Sequence, residues 1–160
     1  MRQKVYFTID LLFIGLYGNM CLTQGKEGIH MTTLSGKTRN RIIVAGGREF
    51  TDYALLSETL DAVLERYTHS DTIIVSGCCR GADALGERYA KTHKIPVKRF
   101  PADWLQYGKA AGPIRNRQMA EYASAGDGML VAFWDGKSRG TASMIQLAEK
   151  FGLRIKTITY

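Results

Sequence analysis

The chain has 160 residues, of which 45% are hydrophobic and 23% are charged. That length allows one domain with a buried core and leaves little room for a second. The formal charge is +7, with +3 carried by the first forty residues and +4 by the other 120. The larger part is therefore only mildly basic, which suits small anionic ligands better than the dense Lys and Arg clustering of a nucleic-acid module.

The three cysteines and three histidines do not form a recognisable framework. Cys78 and Cys79 are adjacent, and no Cys and His spacing matches a zinc site. We therefore predict no bound metal and a reducing, cytoplasmic location.

Residues 1–40 differ from the rest of the chain. They combine a basic start with an apolar stretch, as a signal peptide does, but Asp10 interrupts the stretch. The uninterrupted run at 11–17 is too short to span a bilayer, which takes about 20 apolar residues. We predict no membrane association and interpret 1–40 as an N-terminal extension, either disordered or a mis-assigned start, with translation beginning at Met31. A chain that starts at Met31 is expected to fold.

From residue 41 onward, apolar β-branched runs alternate with segments of helical spacing. The predicted strands are 41–47, 71–77, 95–100, 128–134 and 153–160, and the predicted helices are 56–67, 81–94, 112–125 and 140–151. Continuous apolar strands that alternate with helices predict parallel pairing and right-handed crossovers. We predict an α/β, Rossmann-like domain over 41–160, with a doubly wound parallel five-stranded sheet of order 3-2-1-4-5 and four helices.

In such a sheet, ligands bind beyond the carboxyl ends of the strands, here between the first and fourth strands. Three glycine-rich loops meet at that edge, with the sequences GGREFTD, SGCCRGAD and WDGKSRGT. A single glycine turn is common between a strand and a helix and indicates no function by itself. Three such loops that carry cations indicate an anion site at helix N-termini. The predicted ligand-binding residues are Gly46, Gly47, Arg48, Asp52, Gly77, Gly81, Ala82, Asp83, Lys109, Arg115, Asn116, Asp135, Ser138, Gly140 and Thr141.

Several of these residues have a second interpretation. Asp52 is better explained as a helix cap, whereas for Asp83 a capping role and a role in binding ribose or acting as a base are equally weighted. Arg115 and Asn116 fall in the first turn of a helix that Pro113 opens, where a cation opposes the helix dipole. A bound phosphate or carboxylate would remove that conflict.

Other residues are assigned mainly structural roles. We interpret Cys78 and Cys79 as small buried turn residues, in preference to reactive thiols with a lowered pKa. Trp104 and Tyr107 are candidates to stack on a base, although aromatics in such a connection more often fill the edge of the core. Met144 has the spacing of a core residue.

Four segments together resemble the YspA/YpsA-related branch of the SLOG superfamily. Their sequences are GGREFTD, GCCRGADALGERYA, FPADWLQYGKAAGPIRNRQM and DGKSRGTASMIQLA. The branch is Rossmann-like and related to the lonely-guy phosphoribohydrolases and to the DNA-processing protein DprA. The resemblance covers 41–160 and implies binding of a nucleotide or a nucleotide-derived ligand.

The resemblance to the lonely-guy enzymes is incomplete at two motifs. Gly140 and Thr141 match their Gly-Thr-x-x-Glu motif, but Met144 replaces the glutamate. Arg115 also matches, while Asn116 stands where those enzymes have a lysine. The resemblance thus implies that the phosphate loop is kept and that cleavage by the same residues is not.

Three functions remain open from the sequence. The first is a sensor-like or weakly processing protein that binds a nucleotide or an ADP-ribose-like ligand, with no certain cofactor. The second is a hydrolase or transferase at an N-glycosidic or phosphate bond, with Asp83 as the best catalytic candidate. The third is DprA-like binding of single-stranded DNA, for which one basic cluster is available. We do not expect nucleic acid as a partner, and a homo-oligomer stays open. The basic cluster consists of Lys91, Lys94, Lys98 and Arg99.

Overall fold

The computed structural model describes residues 20–25, 28–33 and 39–160. The chain divides into two units, Met1–Lys37 and Thr38–Tyr160. In the first unit, β1 (Met20–Gly25) pairs with β2 (Gly28–Thr33) in antiparallel fashion. The remaining parts of 1–38 lie outside the described residues. The interpretation of 1–40 as an extension, and the start at Met31, stay predictions.

The second unit contains a five-stranded parallel sheet. Counted within this sheet, its strand order β5-β4-β3-β6-β7 is 3-2-1-4-5, which confirms the predicted topology. The strands are β3 (Asn40–Gly46), β4 (Thr72–Ser76), β5 (Val97–Arg99), β6 (Asp127–Trp134) and β7 (Arg154–Thr159).

Four long helices connect these strands, as predicted. They are α1 (Tyr53–Leu64), α2 (Ala82–Thr92), α4 (Ala111–Ser124) and α5 (Arg139–Lys150). A short helix that the sequence reasoning missed, α3 (Trp104–Tyr107), precedes α4. Helix α4 begins at Ala111, two residues before the predicted opening at Pro113.

Both faces of the sheet are buried, because side chains along a strand alternate between its faces. In β3, Ile42 and Val44 pack into one core cluster, with Leu56 of α1 and Tyr89 of α2. The intervening Ile43 packs into a second cluster, formed mainly with residues of α4, β6 and α5. Two covered faces explain why the strands read as continuous apolar runs.

Close packing at the end of β3 requires glycine. A Cβ on Gly46 would overlap the carbonyl oxygen of Phe133, which lies opposite it in β6. Gly81 adopts a φ of 81°, and a Cβ there would overlap the Gly47 carbonyl oxygen. The loops after β3 and β4 therefore lie directly against each other at the edge of the sheet where the strands end.

Candidate binding cleft

A cleft of about 500 Å³ lies beyond the carboxyl ends of β3 and β6. Its position is the place where strand order reverses in the sheet, as predicted for a ligand site. The loops after β3 and β6 and the first turns of α4 and α5 form its walls. Eleven of the fifteen predicted binding residues line it: Gly46, Gly47, Arg48, Asp83, Lys109, Arg115, Asn116, Asp135, Ser138, Gly140 and Thr141.

The other four predicted residues lie beside the cleft lining. Asp52 caps α1, and its carboxylate accepts a hydrogen bond of 2.9 Å from the N–H of Leu55. Gly77, Gly81 and Ala82 belong to the connection between β4 and α2, where Gly81 is the residue before the helix. Their direct contact with a ligand stays a prediction.

The loop after β6 is ordered by its own side chains. The Asp135 carboxylate accepts hydrogen bonds from the N–H groups of Lys137 (2.9 Å) and Ser138 (2.7 Å), which lower the pKa of Asp135. Ser138 caps α5, and its Oγ accepts from the N–H and the hydroxyl of Thr141 at 3.4 and 3.0 Å. The buried Thr141 thus holds the loop together through the same groups that we expected to bind phosphate.

The first turn of α5 has backbone N–H groups that are available to a ligand. The N–H groups in the first turn of a helix have no partner within the helix, and they carry its positive dipole end. A Cβ on Gly140 would meet no atom within 4 Å. The Asn116 amide donates to the Gly140 carbonyl oxygen at 3.1 Å and fixes this turn against α4. Among the described residues, no group accepts a hydrogen bond from the backbone N–H of Gly140.

The loop after β4 is closed by a buried ion pair. The Arg115 guanidinium, 9% exposed, donates to the Gly77 carbonyl oxygen and to Asn116 Oδ1, and lies 3.7 Å from Asp83 Oδ2. The same Oδ2 accepts from the N–H groups of Gly77 (3.1 Å) and Cys79 (3.4 Å). Asp83 therefore supplies the counter-charge for Arg115, and the unfavourable placement of a cation near the start of α4 is offset within the protein.

Asp83 is also the most perturbed acid of the cleft. Burial raises the pKa of Asp83 to about 6, although Arg115 and the two backbone N–H groups oppose the rise. A carboxyl group with such a pKa changes charge close to neutral pH, as a general acid or base does. Its role as a catalytic residue stays a prediction.

Three cations of the cleft are exposed and uncompensated. Within residues 39–160, Arg48, Lys109 and Arg139 line the cleft and make no hydrogen bond or ion pair with another side chain. At the rim, by contrast, Arg80 pairs with Glu49. Because these unpaired cations line the same cleft as the first turn of α5, the cleft favours an anion.

Sequence reasoning misjudged Trp104, which lines the cleft, and Tyr107 of the same short helix, and it missed Tyr160. Trp104 is 50% exposed and Tyr107 44% exposed, and neither belongs to a core cluster of the described residues. The expectation that they fill the core edge is therefore wrong. Tyr160 also lines the cleft, with its ring centroid 4.8 Å from that of Phe50. The signal that could have identified Tyr160 is its position directly after the last strand, at the same edge of the sheet as the cleft.

The adjacent cysteines differ from each other. Cys78 is exposed and adopts a φ of 59°, so its prediction as a buried turn residue is wrong. Partial desolvation of the thiol and the nearby Glu87 carboxylate raise the pKa of Cys78, which argues against an activated thiolate. Cys79 is half-buried, and its Sγ lies 3.5 Å from Arg115 Nη2 in the cleft wall.

The predicted basic cluster is partly engaged in other contacts. Arg99 pairs with Glu87 at 2.8 Å, and the Lys98 ammonium lies 5.6 Å from the ring centroid of Phe100 and 5.9 Å from that of Tyr122. These residues do not line the cleft. The basic cluster is therefore a surface feature separate from the cations of the cleft.

The position of Met144 bears on the chemistry. Its side chain is 1% exposed and packs in the second core cluster, with Met119 and Ala148. An apolar thioether thus occupies the position at which the resemblance would require a glutamate. Asn116, at the other variant position, hydrogen-bonds Arg115 and the Gly140 carbonyl oxygen. Both variant residues contribute contacts that stabilise the fold.

The chain belongs to the YspA, cpYpsA-related SLOG family, whose family model matches residues 40–107. It is 30% identical over 120 residues to the Gene 61 protein of Mycobacterium phage D29, a match that covers 72% of this chain and 93% of that protein. The region that the family model matches includes the loops after β3 and β4 and ends with α3.

Two solved structures have a similar fold. The DNA-processing protein A (DprA) of Streptococcus pneumoniae matches with a TM-score of 0.59 and 16% identity, over 78% of this chain and 51% of that chain. DprA of Helicobacter pylori matches with a TM-score of 0.53 and 20% identity, over 77% and 66% respectively. This chain thus spans about half the length of the first structure. At these identities the likeness shows the fold alone.

The prediction that nucleic acid is not a partner is wrong in the light of these neighbours. Both are DNA-processing proteins, and the Helicobacter pylori structure is described as revealing a single-stranded DNA binding mode. The prediction relied on the small net charge of the domain, and net charge carries no information on where the cations lie.

No helix among the described residues is long and apolar enough to cross a membrane.

Proposed function

We propose that the cleft binds the phosphate and ribose of a nucleotide or a nucleotide-derived ligand such as ADP-ribose, in a sensor-like or weakly processing role. The observation that carries this proposal is the set of three unpaired cations that line the same cleft as the first turn of α5. They are Arg48, Lys109 and Arg139. Membership of the SLOG family supports it.

The proposal assigns different tasks to the two ends of the cleft. The phosphate lies at the start of α5, where the Gly140 N–H and the Arg139 side chain donate to it. Ser138 and Thr141 keep that turn in place through their mutual hydrogen bonds. Asp83 and Arg115 form the floor, where a ribose hydroxyl meets a carboxylate that is already oriented.

A second candidate is binding of single-stranded DNA at the same cleft. The specific observation that favours it is the fold shared with two DNA-processing proteins, one of them described as binding single-stranded DNA. The exposed Trp104 and Tyr107 beside the cations also fit this candidate, because stacking aromatics and a basic groove are what single strands require.

Titration calorimetry with the whole chain tests the proposal. The ligands are AMP, ADP, ADP-ribose, NAD and a short oligothymidylate, each measured at low and at physiological salt. Nucleotide binding that survives physiological salt supports the first candidate. Binding of the oligonucleotide alone, weakening steeply with salt, favours the second. No binding of any nucleotide contradicts the proposal, and release of a free base would make the protein a hydrolase.

A matched pair of variants locates the site. Arg139→Gln removes the cation at the first residue of α5, and Lys150→Gln removes one at the last residue of the same helix. Arg139→Gln is expected to weaken nucleotide binding by about tenfold or more, since hydrogen bonds to charged groups contribute about 1.5–3 kcal/mol. Lys150→Gln is expected to leave it unchanged. Equal effects of the two variants would indicate general electrostatic attraction and no defined site.

A further inference from the structure

A second cavity of about 580 Å³ adjoins the cleft. Its lining consists of Arg48, Cys79, Arg80 and Trp104. Three of these residues, Arg48, Cys79 and Trp104, also line the cleft. The two cavities therefore share a wall, and a ligand in the cleft lies next to the second cavity.

The indole of Trp104 is held in place although it is not part of the core. Asp103 caps α3 by accepting a hydrogen bond of 3.0 Å from the N–H of Gln106, and Gly108, with a φ of 48°, ends the helix. Trp104 Cη2 lies 3.5 Å from where a Cβ on Gly112 would stand. The ring thus rests on the first turn of α4, while half of the residue stays exposed.

Such an arrangement leaves a large apolar ring facing solvent at a fixed position. Covering an exposed indole with a ligand is strongly favourable, because an aromatic ring buries a large apolar area. Trp104 belongs to neither core cluster of the described residues, so packing within the domain does not explain it.

The other walls of this cavity are guanidinium groups. Arg48 has no partner among the described residues, while Arg80 is held by Glu49. Planar guanidinium groups and indole rings both stack on nucleobases. The chemistry of the lining therefore fits a flat aromatic heterocycle, and its connection to the cleft fits a heterocycle joined to a phosphate.

We propose that the cavity formed by Arg48, Cys79, Arg80 and Trp104 is a nucleobase subsite, in which the base stacks on Trp104. This inference rests on the proposed function, since it requires the phosphate of the same nucleotide to lie at the start of α5. It adds that affinity depends on the base and not on the sugar phosphate alone. The base belongs either to a free nucleotide or to a residue of a single strand.

The experiment compares AMP with ribose 5-phosphate, which lacks the base. Wild-type protein is expected to bind AMP more tightly than ribose 5-phosphate. Trp104→Ala is expected to weaken AMP binding by about fivefold to a hundredfold, as replacement of a stacking aromatic does, and to leave ribose 5-phosphate binding unchanged. Trp104→Phe keeps a ring and is expected to fall between the two. Leu105→Ala, on the same short helix and fully exposed, is the matched control and is expected to bind like wild type.

The outcomes separate the two proposals. If neither AMP nor ribose 5-phosphate binds, the proposed function fails and the subsite with it. If both bind equally, or if Trp104→Ala binds AMP like wild type, only the nucleobase subsite is overturned. Tryptophan fluorescence gives a test that does not need the alanine variant. AMP is expected to quench the fluorescence of wild-type protein, ribose 5-phosphate is not, and the quenching is expected to be lost in Trp104→Phe. If Trp104→Ala weakens binding of an oligodeoxyadenylate more than it weakens binding of AMP, the source of the base is a single strand.

Discussion

Two glycine-rich loops at the same sheet edge, 76–83 after β4 and 134–141 after β6, look alike in sequence and differ in structure. In the first, the Asp83 carboxylate accepts hydrogen bonds from the loop N–H groups of Gly77 and Cys79 and lies beside Arg115. A Cβ on Gly77 would overlap the Arg115 guanidinium. In the second, Cβ atoms added to Gly136 and Gly140 would meet nothing within 4 Å. The first loop is therefore filled by the protein, and the second leaves room for a ligand.

The difference shows what a glycine turn before a helix can and cannot indicate. Both loops expose backbone donors at a positive dipole end, so both attract an anion. After β4, that anion is the Asp83 carboxylate, which is part of the chain. After β6, the exposed Asp135 carboxylate accepts from the N–H groups of Lys137 and Ser138, and Ser138 caps α5, but no atom lies within 4 Å of a Cβ placed on Gly140. What distinguishes the two loops is space: the Arg115 guanidinium fills the space beside Gly77, whereas nothing lies within 4 Å of a Cβ placed on Gly136 or Gly140.

The largest expected effect comes from breaking the closed loop. Arg115→Ala leaves the buried Asp83 carboxylate without its cation, and removing one partner of a buried ion pair costs about 3–5 kcal/mol. We expect a loss of this order in the free energy of unfolding, measured by chemical denaturation without ligand. Arg117→Ala, on the same helix but paired at the surface with Glu121, is the control and should cost less than about 1 kcal/mol. A ligand-free stability of Arg115→Ala equal to that of wild type would contradict this account of the loop.

A second comparison places alanine at one glycine of each loop. Gly81→Ala adds a Cβ at a φ of 81°, against the Gly47 carbonyl oxygen, and should destabilise the fold by about 2 kcal/mol or more. Gly140→Ala meets open space and should leave the ligand-free melt unchanged while weakening nucleotide binding, because the new methyl group stands at the proposed phosphate position. Thermal melts with and without AMP measure both effects. Equal destabilisation by the two substitutions would remove the distinction between the loops.

Much of the fold could be predicted because its signals are local. The strands are buried on both faces, so each reads as an uninterrupted apolar run that ends in or near glycine, and β4 begins within one residue of its predicted start. The position of the cleft followed from the strand order alone. Helix α3 was missed because its four residues, Trp104–Tyr107, are too few to show a helical period.

The details of the site depend on contacts between distant residues and were not predictable in the same way. The sequence indicated that Arg115 lies near the start of α4 and that Asp83 lies near the start of α2, but not that the two side chains meet. For the same reason, no pattern in the sequence indicated that the N–H and the hydroxyl of Thr141 both donate to Ser138. Periodicity places a residue on a face of its element, whereas pairing across elements depends on how side chains pack.

The smallest expected effect concerns the charge of the closed loop. In the folded protein the pKa of Asp83 is raised from 3.8 to about 6. A group with a raised folded-state pKa binds its proton more tightly when folded, so its contribution to stability is present below pH 3.8 and is lost as pH rises through about 6. The same titration changes the floor of the cleft, because a neutral Asp83 leaves the positive charge of Arg115 uncompensated.

We therefore expect the affinity for an anionic ligand to rise severalfold as pH falls through the pKa of Asp83. The ligand for this measurement is a phosphodiester dinucleotide, since a phosphomonoester has its own pKa near about 6 and would confuse the profile. In Asp83→Asn the carboxylate is replaced by a neutral amide of the same shape, so binding should be tight across the range and nearly independent of pH. Wild-type affinity that stays constant from acidic to neutral pH would show that Asp83 does not influence the ligand, and that the two loops act independently.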